Sequence, residues 1–277
     1  MIADEERGRG LRGAGFGLIL VAVVAAPWPY GCAGDTARFA LTTLLLGAAA
    51  LWSVGRGLLG AGLPELTLPA LGVPVLAVLQ LLLGTSAAPV FSVEALFVLL
   101  SMLAAFLVAS EEAREHASAR WLAAAILTAC AVQAAFGAWQ WSVAPARIYG
   151  RATPIVTAPF GSYVNHNHFA GLIEMGALVS AGLSAGLFRR GERRLSHAVL
   201  AGGLTLALTA AHLASRSRGG LVALVAGFGL LAVLAGARGS GARRTALAFS
   251  LLGVGAVAFG LLSIPAGTRR HLATVVS

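Results

Sequence analysis

Nine stretches of this chain are apolar over the length needed to cross a bilayer, and they follow one another with short polar connections between them. They lie at Gly15 to Trp28, Phe39 to Val54, Leu66 to Gly84, Val90 to Ala109, Trp121 to Trp141, Phe169 to Phe188, Ala198 to Leu213, Leu221 to Ala237 and Ala246 to Ile264. At about 20 residues per span, nine crossings leave about 97 of the 277 residues for termini and connections, so no large soluble domain fits. Only 11% of residues are charged and 58% are hydrophobic, against roughly 25% charged in soluble domains. The expected fold is all-α, a polytopic transmembrane helical bundle of about nine spans. The first window, behind Arg7, Arg9 and Arg12, has the look of a signal peptide as well, but Pro27 and Pro29 stand where a small-residue cleavage site belongs. Pro69 and Pro74 are expected to bend the third span. A Gly182 to Gly186 GxxxG reads as ordinary close helix packing in a chain with 35 glycines.

The formal charge of +9 comes from 20 basic residues, all arginine, against 11 acidic ones. A nucleic-acid binder gathers such charge on one soluble face with aromatics between. Here the arginines form short clusters between apolar runs, the pattern of membrane loops, so no nucleic-acid partner is expected and membrane lipid is. With the amino terminus cytoplasmic, thirteen arginines fall inside and seven outside: Arg38, Arg147, Arg151, Arg216, Arg218, Arg269 and Arg270. Trp28, Tyr30, Trp139 and Trp141 then reach the outer interface and Trp121 the inner one, as an aromatic belt requires. Cys32 in a connection and Cys130 in mid-span make neither a disulfide framework nor a thiolate zinc site.

Two outer-side runs could carry chemistry. The first is Ala214-Ser215-Arg216-Ser217-Arg218-Gly219-Gly220, squeezed between two spans with almost no loop. A guanidinium fork matches phosphate oxygens two at a time and stays charged, which makes Arg216 and Arg218 candidate phosphate ligands. Two interfacial arginines snorkelling to lipid headgroups would explain the same run. His212, four residues before Arg216, shares its face if the helix continues. The second run is Phe160 to Phe169, in which Tyr163, Asn165, Asn167 and His168 offer donors and acceptors for sugar hydroxyls or phosphate. A helix cap accounts for one of the two asparagines. His166 and His168 have no third ligand nearby, so no metal is expected.

Asn167, Gly171 and Glu174 follow the spacing of one helical face, with Glu174 about 10 Å below Asn167. An acid inside a span faces either a cavity or an arginine of a neighbouring helix, and both readings stand for Glu174. Glu94 has the same ambiguity. Gln133 and Gln140 line one interior face or bond between helices.

Tyr163-Val164-Asn165-His166-Asn167-His168-Phe169-Ala170-Gly171, followed one span later by Ser217-Arg218-Gly219-Gly220, resembles the paired signature of the O-antigen ligase and polymerase superfamily over roughly Tyr149 to Ala266. The resemblance implies a glycosyltransferase of the bacterial inner membrane, active on the periplasmic face. Such an enzyme moves a glycan from undecaprenyl diphosphate to lipid A–core in the ligases, or to another repeat unit in the polymerases. It also implies that Arg218 holds the donor diphosphate, with Arg216 a less well matched second. Cofactors are not expected, since arginines supply the charge that the departing diphosphate needs. The implied layout is N-terminal transmembrane helices over residues 1–141, a periplasmic connection over 142–168, a ligase-like core over 169–264, and the start of a periplasmic loop over 265–277. Family members carry the general-base His in that large loop, so the catalytic residue is unknown here, His271 is not assigned to the role, and the chain is expected to be an inactive fragment by itself. A transporter or lipid-binding scaffold is the non-enzymatic alternative; a transporter predicts related halves with broken helices, and neither is evident in the sequence.

Overall fold

A computed structural model describes residues 2–144, 147–152, 160–188 and 195–236. Within them the chain forms nine α-helices: α1 Ile2–Ala25, α2 Asp35–Leu58, α3 Thr67–Ala70, α4 Gly72–Leu82, α5 Pro89–Glu112, α6 His116–Val143, α7 His166–Phe188, α8 Leu195–Ala214 and α9 Arg218–Gly236. Seven of these, all but α3 and α4, are long and apolar enough to cross a membrane. Large apolar side chains such as Phe39, Leu68, Leu200 and Val222 stand exposed, as a lipid-facing surface allows and a water-facing one does not. The chain is thus an all-α, multi-pass membrane protein. The expected ninth span, Ala246 to Ile264, and the segment 265–277 lie outside the described residues.

The structure divides into two compact units, one ending at Ile126 and the other beginning at Leu127, within α6. In the first, α1 and α2 approach closely because glycines face each other. A Cβ at Gly15 would lie 2.5 Å from the Ala48 carbonyl oxygen, and one at Gly55 would lie 2.5 Å from the Arg12 nitrogen. Phe16, Ile19, Leu45, Trp52 and Val108 pack there into the unit's core. The close approaches are at these positions and not at Gly182 and Gly186, where an added Cβ would meet nothing within 4 Å among the described residues.

Ion pairs fix the helix directions. Arg38 in the first turn of α2 meets Glu94 near the start of α5 at 2.6 Å, and Arg56 in the last turn of α2 meets Glu111 at the end of α5 at 2.8 Å. The two helices therefore run parallel, and α3 and α4 return the chain between them. Glu65, just before α3, pairs with Arg114, just after α5, at 2.8 Å. The expected third span is therefore a shorter traverse, Thr67–Leu82. It is interrupted at Leu71, with Pro69 and Pro74 each in the first turn of its piece, where a missing N–H breaks no helical bond.

In the second unit α7 is central. Its Ser180 hydroxyl accepts a hydrogen bond from Thr205 of α8 at 2.9 Å, and its Ser184 hydroxyl donates to the Ala198 carbonyl at 2.8 Å. On the other side the Cys130 thiol of α6 donates to the Leu172 carbonyl at 3.2 Å. After α6 the chain forms a small hairpin, β1 Arg147–Ile148 and β2 Arg151–Ala152. Tyr149 and Gly150, between the strands, both have positive φ, as a two-residue hairpin turn requires. Gln140 donates to the Arg147 carbonyl at 2.6 Å, tying that hairpin to the end of α6.

Candidate functional site

The polar run before α7 is folded by its own residues. Phe160 and Tyr163 exchange backbone hydrogen bonds at 3.2 Å around Gly161, whose φ of 62° suits glycine. The buried Ser162 donates from its backbone N–H and its hydroxyl to Gln133 Oε1 of α6, at 3.3 and 3.0 Å. Gln133 and Gln140 therefore hold the connection after α6 instead of bonding to a neighbouring helix. The Phe160 and Phe169 rings pack at a tilt of 50°, centroids 4.7 Å apart, and half-buried Tyr163 meets Phe169 edge-on. Asn165 caps α7, its Oδ1 accepting the Asn167 N–H at 2.9 Å. His168 is exposed in the first turn.

The second run closes an equally local structure. α8 ends at Ala214, and Arg216 takes a φ of 57°, reversing the chain within three residues. Ser217 is the N-cap of α9: its hydroxyl oxygen accepts the Gly220 N–H at 3.0 Å. The hydroxyl hydrogen of Ser217 goes to Asn167 Oδ1, 2.7 Å away. The two runs, fifty residues apart in sequence, thus meet directly.

The meeting is built into the helix register. A Cβ at Gly220 would lie 2.9 Å from the Ala170 side chain, and one at Gly227 would lie 2.5 Å from Leu178. With Ser217 on Asn167, these contacts pair α9 with α7 at a nearly constant offset, so the helices run parallel with both N-termini at the same end. Each N-terminus carries about half a positive charge from its unpaired N–H groups. Arg216 and Arg218 are exposed at the start of α9, and neither forms an ion pair among the described residues. The Asn167 amide nitrogen is likewise without a partner there. Two helix N-termini at one end, two arginines at the start of α9 and an amide donor are the kinds of group that bind an anion.

Other sequence candidates fall differently. Glu174 is half-buried and has no ion pair among the described residues, so the expected arginine from a neighbouring helix is not found there. Glu94 does pair, with Arg38. His212 does not share the face of Arg216: the helix stops between them, and His212 turns inward to 1% exposure while Arg216 stays exposed. No group of three or more His, Cys, Asp or Glu residues gathers among the described residues.

Sequence reasoning missed Ser217 as a contact, although a serine three residues before a helix glycine is the spacing of a cap. The buried partners Ser162 and Gln133 carried no such signal. No family model matches the chain, and no curated protein or solved structure does either.

Proposed function

We propose that the α7 and α9 N-termini bind the diphosphate of an undecaprenyl diphosphate-linked glycan. In this reading the chain belongs to a membrane glycosyltransferase of the O-antigen ligase type, which transfers that glycan to lipid A–core or a related acceptor. The observation that carries it is the fastening of two like-charged helix ends by Ser217 and Asn167, beside two arginines free of carboxylates. Such an arrangement favours an anion lying over it. In this reading Arg218 is the first ligand, with Arg216, Asn165, Asn167, His168, Tyr163 and Glu174 as further contacts for the donor. Donor and acceptor chemistry need arginine charge at the leaving diphosphate, which strengthens as the bond breaks.

With the amino terminus cytoplasmic, α1, α2, the α3–α4 traverse, α5 and α6 alternate direction. The N-termini of α7 and α9 then face the periplasm of the bacterial inner membrane. The arginine distribution supports the same orientation.

The test is direct binding of an undecaprenyl diphosphate-linked glycan to the purified chain in detergent, with undecaprenol as control. Binding that requires the diphosphate and is lost in Arg218→Ala is expected. Equal binding in the variant, or none in the wild type, overturns the reading and leaves a helix bundle with two snorkelling arginines.

A further inference from the structure

We propose that His212 is a positioning residue for this anion site, an inference that rests on the reading above: its ring sets the spacing of α7 and α9 one turn beneath the Asn167–Ser217 hydrogen bond. His212 lies near the end of α8 and is 1% exposed. Its Nδ1 sits 3.1 Å from the Ala170 carbonyl oxygen of α7. A carbonyl only accepts, so the ring hydrogen is on Nδ1. Nε2 is buried with no hydrogen-bond partner among the described residues, and burial disfavours a second, charging proton, so the ring is neutral with a bare Nε2.

The same ring touches the third helix. A Cβ at Gly220 of α9 would lie 2.8 Å from His212 Cε1, 2.9 Å from the Ala170 Cβ and 3.0 Å from the Ser217 hydroxyl oxygen. His212 is thus held by α7 through Nδ1 and wedged against α9 through Cε1. Its own carbonyl accepts from the Ser215 hydroxyl at 2.6 Å, which fixes the turn carrying Arg216. Ala170 is three residues past Asn167, and Gly220 is three past Ser217. The clamp and the hydrogen bond therefore occupy adjacent turns of the same two helices, and moving one moves the other. Burial keeps His212 from meeting a ligand directly. It acts by deciding where Asn167, Arg216 and Arg218 stand.

Steric complementarity between His212 and Gly220 gives a test by reciprocal rescue. Gly220→Ala puts a methyl group into the ring edge and pushes α9 off α7. His212→Asn keeps an amide N–H for the Ala170 carbonyl and removes the closest of the three contacts that methyl would meet, leaving those with Ala170 and Ser217. A double-mutant cycle on the full chain in detergent is read by undecaprenyl diphosphate binding and by thermal midpoint. Gly227→Ala, whose methyl would meet Leu178 about two turns deeper, serves as the packing control. Gly220→Ala is expected to weaken binding about tenfold in the wild-type background and by a clearly smaller factor beside His212→Asn, the remainder coming from Ala170 and Ser217. Gly227→Ala is expected to lower the midpoint while leaving affinity unchanged. Equal penalties for Gly220→Ala in both backgrounds, or an affinity loss in the control as large as at Gly220, overturn the proposal. If wild type binds no undecaprenyl diphosphate, the anion reading falls and the clamp is decided separately. Non-additive midpoints with 15N signals of a protonated Nδ1 and bare Nε2 uphold it; additive midpoints or a protonated Nε2 sink it.

Discussion

The hydroxyl of Ser217 donates to Asn167 Oδ1 across 2.7 Å while accepting the Gly220 N–H, so one oxygen both caps α9 and ties it to α7. Asn167 is left with its amide donors facing outward between two helix N-termini. Stability and ligand binding therefore part company at this residue. Asn167→Asp keeps an acceptor for Ser217 and places a negative charge where the dipoles favour it, so the thermal midpoint is expected to hold or rise. The same substitution removes the amide donors and puts a carboxylate in the anion site, so undecaprenyl diphosphate binding is expected to be lost. Ser217→Ala removes cap and tie together and should destabilise by about 1 kcal/mol. Thermal unfolding and binding measured on the same detergent samples check both; an Asp variant that binds as well as wild type would remove Asn167 from the site.

Arg216 occupies a left-handed backbone conformation at the end of α8, where glycine is favoured by about 1 kcal/mol. An arginine kept there at that cost points to its charge. Arg216→Gly and Arg216→Ala should lose the same affinity for undecaprenyl diphosphate, since both lack the guanidinium. Only Arg216→Gly should melt higher than wild type, because it alone relieves the backbone. If the two variants differ in affinity, the turn geometry and not the charge is what Arg216 supplies.

The limits of the sequence are plain at particular residues. Apolar length located α2 and α5 to α9 to within about five residues, because in a membrane a helix must satisfy its own backbone; α1 instead begins at Ile2, well before the expected Gly15, because its charged first turns carry no apolar signal. Partners were a different matter. Helices apolar on every face carry no stripe to say which neighbour they touch, so the pairings of Glu94 with Arg38 and of Glu112 with Arg12 were invisible. The order of the two polar runs hinted that Asn167 and Arg218 share a side. That Ser217 bridges them, and that His212 points into α7 and not beside Arg216, depends on where α8 stops, which one left-handed residue decides. Gln133 and Gln140 read equally as lining one interior face or as bonding between helices, because their true partners, Ser162 and the Arg147 carbonyl, lie in an irregular connection without periodicity.

Glu65 and Arg114 make a pH-sensitive tie outside the spans. The hydrogen bond from Arg114, reinforced by its charge, holds the Glu65 carboxyl below the ordinary glutamate value. A carboxyl depressed in the folded state contributes stability above its unfolded value and loses that contribution as pH falls through the folded one. Both groups are exposed, so the effect is small and salt screens it. Carboxyl 13C titration should find Glu65 below the ordinary range at low salt and nearer to it at high salt or in Arg114→Gln. A Glu65 titration unchanged by that substitution would mean the pair is absent in solution.

Glu112 tests how much of the first unit depends on a shielded carboxylate. Its side chain is 6% exposed and accepts from Arg12 Nε at 2.5 Å and from the Trp52 indole at 2.6 Å, gathering α1, α2 and α5 at one end. Arg56, paired with the neighbouring Glu111, lies 4.9 Å over the same indole. Removing one partner of a buried pair costs about 3–5 kcal/mol where the other charge is left alone, and an exposed pair contributes about 0–1 kcal/mol; Arg12 keeps the exposed Glu115 at 2.9 Å, which places the loss between these. Glu94 supplies the exposed comparison, 48% accessible in its pair with Arg38 at the opposite end of α2 and α5. Glu112→Ala should therefore lower the thermal midpoint far more than Glu94→Ala. Replacing Arg12 and Glu112 together with apolar residues should recover much of the loss, because the cost lies in the stranded charge. Equal effects at Glu94 and Glu112 would mean that water reaches this end of the unit and the network contributes no more than a surface pair.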